Sequence, residues 1–248
     1  MFSGQITPTI HANGCFIPLL NAMTSSRPKI IQLKNVTKSF LNKKPIFTDI
    51  NMVVEKGEFL FLTGVSGAGK STIFKFLNGL EMPDEGEVIF NSKYVNKLNP
   101  KEMPLHRRQI GVVFQDYKLL CHKTAAENIA MPLRIMGLSS FKIEQKIGAI
   151  AKKIGIESLL KQRIESLSGG EQQLVAIARA SIHKPLLILA DEPTANLDQK
   201  TANTILKMLS VLNDEGMTII IATHDINLIK AYDHRILIIK NRTIMEVY

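Results

Sequence analysis

The chain of 248 residues has no tryptophan and only two cysteines, Cys15 and Cys121. The cysteines lie far apart without CxxC spacing, which argues against a disulfide framework or a zinc site and suits a reducing cytoplasm. No stretch reaches the roughly 18 uncharged apolar residues that a membrane span needs. The longest apolar runs, such as Leu186 to Ala190 and Thr218 to Thr223, have the length of buried strands. No acidic residue precedes Asp49. Residues 1–22 nevertheless lack both the basic n-region and the apolar h-region of a signal peptide in good form. Residues 1–28 are therefore expected to be a flexible extension, with translation starting at Met23. Also missing are an aromatic–basic RNA-binding pattern, zinc-finger spacing, internal repeats and low-complexity tracts.

What is present suits one large domain or two small ones. Hydrophobic residues make up 45% and charged residues 21%, enough apolar matter for a real core. The formal net charge of +9 fits a solvated basic surface, a bound polyphosphate, an anionic lipid surface or nucleic acid. Strand patterns cover Ile30–Val36, Pro45–Val54, Phe59–Thr63, Glu87–Phe90, Ile110–Phe114, Leu186–Glu192, Met217–Asp225 and Arg235–Lys240. Between them lie helical patterns: one after Thr72, three pieces between about 121 and 165, one from Leu174, one over about 200–213 and a short one after Asp225. Strands alternating with helices predict a mostly parallel α/β sheet.

The segment "GVSGAGKST" (Gly64–Thr72) fits G-x-x-x-x-G-K-[ST] and sits between a strand and a helix. Such glycines let successive N–H groups face β- and γ-phosphates, and the helix end adds positive potential. Gly64, Ser66, Gly67, Ala68, Gly69, Lys70, Ser71 and Thr72 are the candidate phosphate contacts, with Lys70 a point charge and Ser71 Oγ a Mg²⁺ ligand. Asp191 and Glu192 end an apolar strand. There Asp191 suits Mg²⁺, and Glu192 suits holding a water and taking its proton; the alternative is a cluster capping a helix before Pro193. Gln115, after another strand, reads either as a group reaching Mg²⁺ or the water, or as a surface glutamine. His224 reads as a γ-phosphate contact or a lone histidine, and Phe40 as an adenine-stacking ring or a core phenylalanine. "LSGGEQQ" (Leu167–Gln173) looks like a second anion site, since a glycine pair precedes a helix.

Five motifs in order, "GVSGAGKST", "VVFQD", "LSGGEQQ", "LLILADEPTANLD" and "IIIATHD", cover about Lys29 to Arg242 and resemble the nucleotide-binding domain of ABC ATPases. The resemblance implies an α/β P-loop NTPase (RecA-like) core with a mostly parallel sheet, an antiparallel β subdomain and an inserted α-helical subdomain at about 116–166. It also implies an ATP-binding domain over 29–248. It answers why one chain carries two anion sites. Ser168, Gly169, Gly170 and Glu171 would face the ATP bound on a partner's Lys70, in a head-to-tail homodimer. Phe40 would take the adenine, Glu192 would be the general base and His224 would contact the γ-phosphate. The loop Asn196 to Asp198 would communicate across the interface. ATP and Mg²⁺ are the implied cofactors.

A narrower resemblance rests on "RRQIGVVFQDYKLL", "ENIAMPLRIMG" and "LADEPTANLD", which look like cell-division ATPases of the FtsE type. It implies an integral membrane subunit of the FtsX type, peripheral attachment to the cytoplasmic face of the inner membrane, control of peptidoglycan hydrolases at septation, and no nucleic acid partner. The alternative is the energy subunit of a lipoprotein-release, macrolide-export or amino-acid transporter. A soluble ABC protein acting on DNA or ribosomes would need a coiled-coil insertion or two fused cassettes, and neither is present. Met131, Pro132, Ile135 and Met136 are either a soft docking surface for the membrane subunit or simply core. The sequence departs from the family pattern at Leu174, where arginine is usual, and at Phe40, where tyrosine is common. Mass spectrometry of the natively expressed protein checks the expected start: no peptide upstream of Met23 should appear, and one such peptide refutes it.

Overall fold

The protein is described by a computed structural model over residues 27–40 and 45–247. The expected start at Met23 and the extension up to residue 26 lie outside the described residues. The chain begins with the strands β1 (Lys29–Lys38), β2 (Phe47–Glu55) and β3 (Phe59–Gly64), then helix α1 (Lys70–Leu77). Strands β4 (Glu85–Phe90) and β5 (Lys93–Tyr94), the short helix α2 (Met103–Arg107) and strand β6 (Ile110–Val113) follow. A helical stretch holds α3 (Ala125–Ile135), α4 (Ser140–Ile154) and α5 (Gly169–Ser181). Then come β7 (Leu187–Asp191), α6 (Gln199–Asp214), β8 (Thr218–Ala222), α7 (Ile226–Lys230), β9 (Arg235–Lys240) and β10 (Thr243–Val247).

Two sheets form. One is antiparallel in the order β2-β1-β4-β5; the other has the order β10-β9-β3-β8-β7-β6 and is parallel except for β10. The period-2 alternation of strand side chains divides the core between the two faces of the parallel sheet. Phe59, Phe61, Ile188, Ala190, Ile219 and Ile221 point to the helical side. Leu60, Leu62, Leu187, Leu189, Ile220 and Ala222 point to the side holding α1 and the antiparallel sheet. Because both faces are covered, β7 and β8 read as unbroken apolar runs. The C-terminal ends of β3, β7 and β8 then meet in register, with Leu62 beside Ala222 and Ala222 beside Asp191. The parallel register therefore brings the Gly-rich loop, the paired acids and His224 to one edge of the sheet.

Several boundaries differ from the expected ones. Strand β8 ends at Ala222, three residues before the expected end at Asp225, so His224 lies just beyond it. The strand β10 was not expected. It closes a hairpin through Asn241 and Arg242, both at positive φ (51° and 66°). Arginine in the second left-handed position hides a turn that asparagine–glycine would have announced. Helix α2 carries Pro104 in its first turn, which obscured so short a helix.

Helices α3 and α5 both start with a reciprocal capping box, Thr124 with Glu127 and Ser168 with Glu171. In the second, the Ser168 N–H and Oγ–H donate to Glu171 Oε2 at 2.8 and 2.7 Å, while Glu171 N–H donates to Ser168 Oγ at 3.4 Å. The Ser168 hydroxyl and then its N–H hold the Glu171 carboxyl below its usual range. A depressed folded-state pKa stabilises the fold at pH values above the unfolded value of about 4.3, and that contribution disappears as pH falls through the lower folded pKa. The stability advantage of the wild type over Glu171→Gln should therefore be full at pH 6–7 and vanish towards pH 3. A pH-independent difference in urea titrations would contradict this.

Candidate functional site

The loop between β3 and α1 is shaped by glycine at its end. Gly69, the N-cap of α1, has φ 109°, and a Cβ there would lie 2.4 Å from the ring of Phe47 and 2.8 Å from Ile46. No other residue fits that conformation and that gap. Lys70 Nζ donates to Gly64 O at 2.8 Å, folding the loop back on itself. The cleft over this loop, about 330 Å³, is lined by Ser66, Gly67, Ala68, Gly69, Lys70, Ser71 and Thr72. Gln115, Asp191, Glu192 and Ile46 complete the lining. The sequence did not single out Ile46; its only signal is its place just before β2.

Ser71 Oγ donates to Asp191 Oδ2 at 3.0 Å, joining the helix start to the end of β7. Burial pushes the Asp191 carboxyl above its usual range and the neighbouring Glu192 charge pushes it further, against the opposing pull of Ser71 and Lys70. Two adjoining carboxylates and a hydroxyl, with the Lys70 ammonium near, form an oxygen donor set suited to a hard divalent cation. Among the described residues no cluster of three His, Cys, Asp or Glu side chains exists that would cage a metal by itself. The set fits Mg²⁺ held jointly by one or two protein oxygens and a phosphate.

Glu192 adopts φ 46°, a left-handed conformation costly for a residue with a side chain. Its N–H donates to Ala222 O at 2.8 Å, and its carboxylate is held on both oxygens. Thr223 Oγ1 donates to Oε2 at 3.0 Å, and His224 Nδ1 lies 2.6 Å from Oε1. Thr223 is fully buried and was overlooked in the sequence; the signal was its position between the β8 run and His224. His224 remains exposed next to a nearly buried Glu192 side chain.

The remaining candidates lie elsewhere. Phe40 is half-buried just past β1, with Lys38 Nζ 5.2 Å from its ring centroid, and it does not line the cleft. Ser168, Gly169, Gly170 and Glu171 open α5 and do not line the cleft either. Within the capping box the Glu171 N–H is taken by Ser168 Oγ, while the Gly169 and Gly170 N–H groups precede the first helical acceptor, an end that suits an anion. A Cβ on Gly170 would lie 2.5 Å from Thr201 Cγ2, so α5 starts hard against the first turn of α6. Asp198 caps α6, accepting from the Thr201 N–H at 3.0 Å and hydroxyl at 2.6 Å, which lowers its pKa. Leu174 is half-buried and packs on the helical-side core. Among the described residues the Gly64–Thr72 loop and the start of α5 are thus separate features, with only the first in the cleft lining.

The family model described as ABC transporter matches residues 47–195. The chain is 42% identical over 208 residues to the cell division ATP-binding protein FtsE of Escherichia coli (strain K12), covering 84% of this chain and 94% of that one. It is 39% identical over 221 residues to the methionine import ATP-binding protein MetN 1 of Listeria monocytogenes, covering 88% of this chain and 65% of that one. A solved ATP-binding cassette, MJ0796, a dimer in a post-hydrolysis state bound to ADP and Pi, superposes with a TM-score of 0.79 at 36% identity. That match covers 88% of this chain and 98% of the cassette. With its phosphate loop, its paired acids at a strand end and its capped glycine helix start in family order, this chain belongs to the ABC transporter family of ATP-binding cassettes.

Proposed function

We propose that the protein binds and hydrolyses ATP as the energy subunit of an FtsE/FtsX-type complex in cell division, acting as a homodimer on an integral membrane partner. The observation that carries the chemistry is the doubly held carboxylate of Glu192 beside the Lys70–Ser71–Asp191 cluster. On this reading Lys70 exchanges the Gly64 carbonyl for β- and γ-phosphate oxygens, Gly67 and Gly69 offer backbone N–H groups, and Thr72 closes the cleft lining. Ser71 Oγ and Asp191 hold Mg²⁺, with Gln115 joining from the loop after β6; the ion supplies charge neutralisation at the phosphates. Glu192 accepts the proton of the attacking water, oriented by His224, while Thr223 keeps the carboxylate aimed. Phe40 stacks on the adenine.

The placement of Ser168–Glu171 outside the cleft supports the assignment of this half-site to a partner's ATP, with Asp198 at the dimer seam. Residues 29–248 then act as one ATP-binding domain, with 116–166 as its helical subdomain. A groove of about 490 Å³ between β6, α3 and α5 supports docking of the membrane subunit. Ile135 is 69% and Met136 39% exposed there, while Met131 and Pro132 are half-buried, so these residues form a lining rather than a core. His183 belongs to the same lining. No helix among the described residues is long and apolar enough to cross a membrane, so attachment at the cytoplasmic face would run through that partner.

The 42% identity to the E. coli FtsE protein supports the cell-division assignment. The second reading, the ATPase of a substrate transporter, rests on the 39% identity to the methionine-import protein. Tagged protein drawn from detergent-solubilised native membranes should bring down an FtsX-type subunit with septal proteins. A substrate-transport permease in its place would move the function to transport. In parallel, Glu192→Gln should retain ATP affinity and lose turnover by at least about a hundredfold; a variant that turns over normally would remove the general-base role.

A further inference from the structure

The loop that carries Gln115 is fixed to the rest of the molecule in an unusual way. After β6, Tyr117 and Lys118 both adopt positive φ, 58° and 47°. Two consecutive non-glycine residues in the left-handed region persist only where surrounding groups over-determine them. The group that does so here is Arg179, on the last turn of α5. Its two terminal nitrogens donate to Tyr117 O at 2.7 Å and to Lys118 O at 2.6 Å. Burial lowers the Arg179 pKa, so the guanidinium has been drawn out of water to make these bonds. At the other end of α5, the Tyr117 hydroxyl stands 3.0 Å from where a Cβ on Gly169 would be. The loop's far end is stitched to α3: Leu120 N–H donates to Asn128 Oδ1 at 2.8 Å, and Asn128 Nδ2 donates to Leu120 O at 3.2 Å. Asn128 is fully buried. Residues 117–120 thus form one body with α3 and α5, and the short run Phe114–Asp116 is its link to β6.

We propose that Arg179 is a positioning residue that couples the two ATP sites: it makes the Gln115 loop and the helix starting at Ser168 move together. A shift of Gln115 at its own cleft then becomes a shift of the Ser168–Gly170 helix start, which faces the partner's ATP. The fork of the guanidinium is what the task requires, because two carbonyls on adjacent residues must be held at once. A lysine ammonium has the charge without the fork. The same side chain lines the groove between β6, α3 and α5, along with Phe114 and Lys118. A segment seated there would press on the coupling element directly. The inference rests on the ATP-sandwich reading above.

The test is the ATP-driven dimer. In a Glu192→Gln background at saturating MgATP, sedimentation gives the dimer dissociation constant. Adding Arg179→Lys should weaken the dimer about tenfold, the scale of one lost charge-assisted hydrogen bond. ATP affinity of the monomer should stay at the parent value even where the melting temperature falls, which a general loss of structure would not allow. Gln115→Ala should weaken the dimer similarly, and the double variant should be no worse than either single one. Arg179→Lys dimerising as tightly as its parent overturns the coupling, as does a fully additive double variant or a Gln115→Ala variant with no effect. If the Glu192→Gln parent itself stays monomeric with ATP, the ATP-sandwich reading falls instead.

Discussion

The site depends on how closely β2 approaches the phosphate loop. The fully buried Phe47 ring fills the space against Gly69, and Ile46 sits on the same glycine. This contact lets the antiparallel sheet fix the one residue at which the loop turns into α1. Everything downstream follows from that turn. Lys70 is brought back to the Gly64 carbonyl, Ser71 reaches Asp191, and the first turn of α1 lines the cleft. A side chain at position 69 would displace the ring or the loop, and either movement separates the serine from the acid it binds.

Electrostatics then selects what the cleft accepts. Asp191 and Glu192 stand side by side at the end of a buried strand, and both burial and mutual repulsion raise the pKa of Asp191. Such a pair is costly unless a cation shares it, and Lys70 and a divalent ion are the available answers. The strained Glu192 backbone is held by the Ala222 carbonyl, and Thr223 and His224 fix its nearly buried carboxylate beside Asp191 in the cleft lining. The different settings of the two acids are thus built at the neighbouring strand β8, whose last residue Ala222 and the two residues after it supply all three holding groups.

Much of this was legible in the sequence because it is local. A strand–glycine loop–helix unit, an apolar run ending in two acids, and a serine before a glycine pair each state their geometry within a dozen residues. The parallel sheet and the helical stretch followed from periodicity in the same way. What stayed hidden was made by partners far apart in the chain. Arg179 reaches carbonyls some 60 residues earlier, and nothing in its own segment announces that. Thr223 became visible only once its hydroxyl was seen on Glu192. The β9–β10 hairpin was missed because its turn uses Asn241 and Arg242 in place of a glycine. Phe40 sits beside Lys38 and outside the lining of the phosphate cleft, so its adenine role comes from the family likeness alone.

The central claim is that each chain holds half of two sites, and mixing tests it most directly. Lys70→Ala lacks a working phosphate loop and Ser168→Arg lacks a working helix start, so neither should dimerise alone with MgATP. Combined in a Glu192→Gln background, with one fluorescent label on each variant, they share one intact composite site. Energy transfer between the labels on adding ATP is the predicted result. A mixture as monomeric as its parts, with the Ser168→Arg chain having lost its own bound ATP, would show that the helix start serves the chain that carries it.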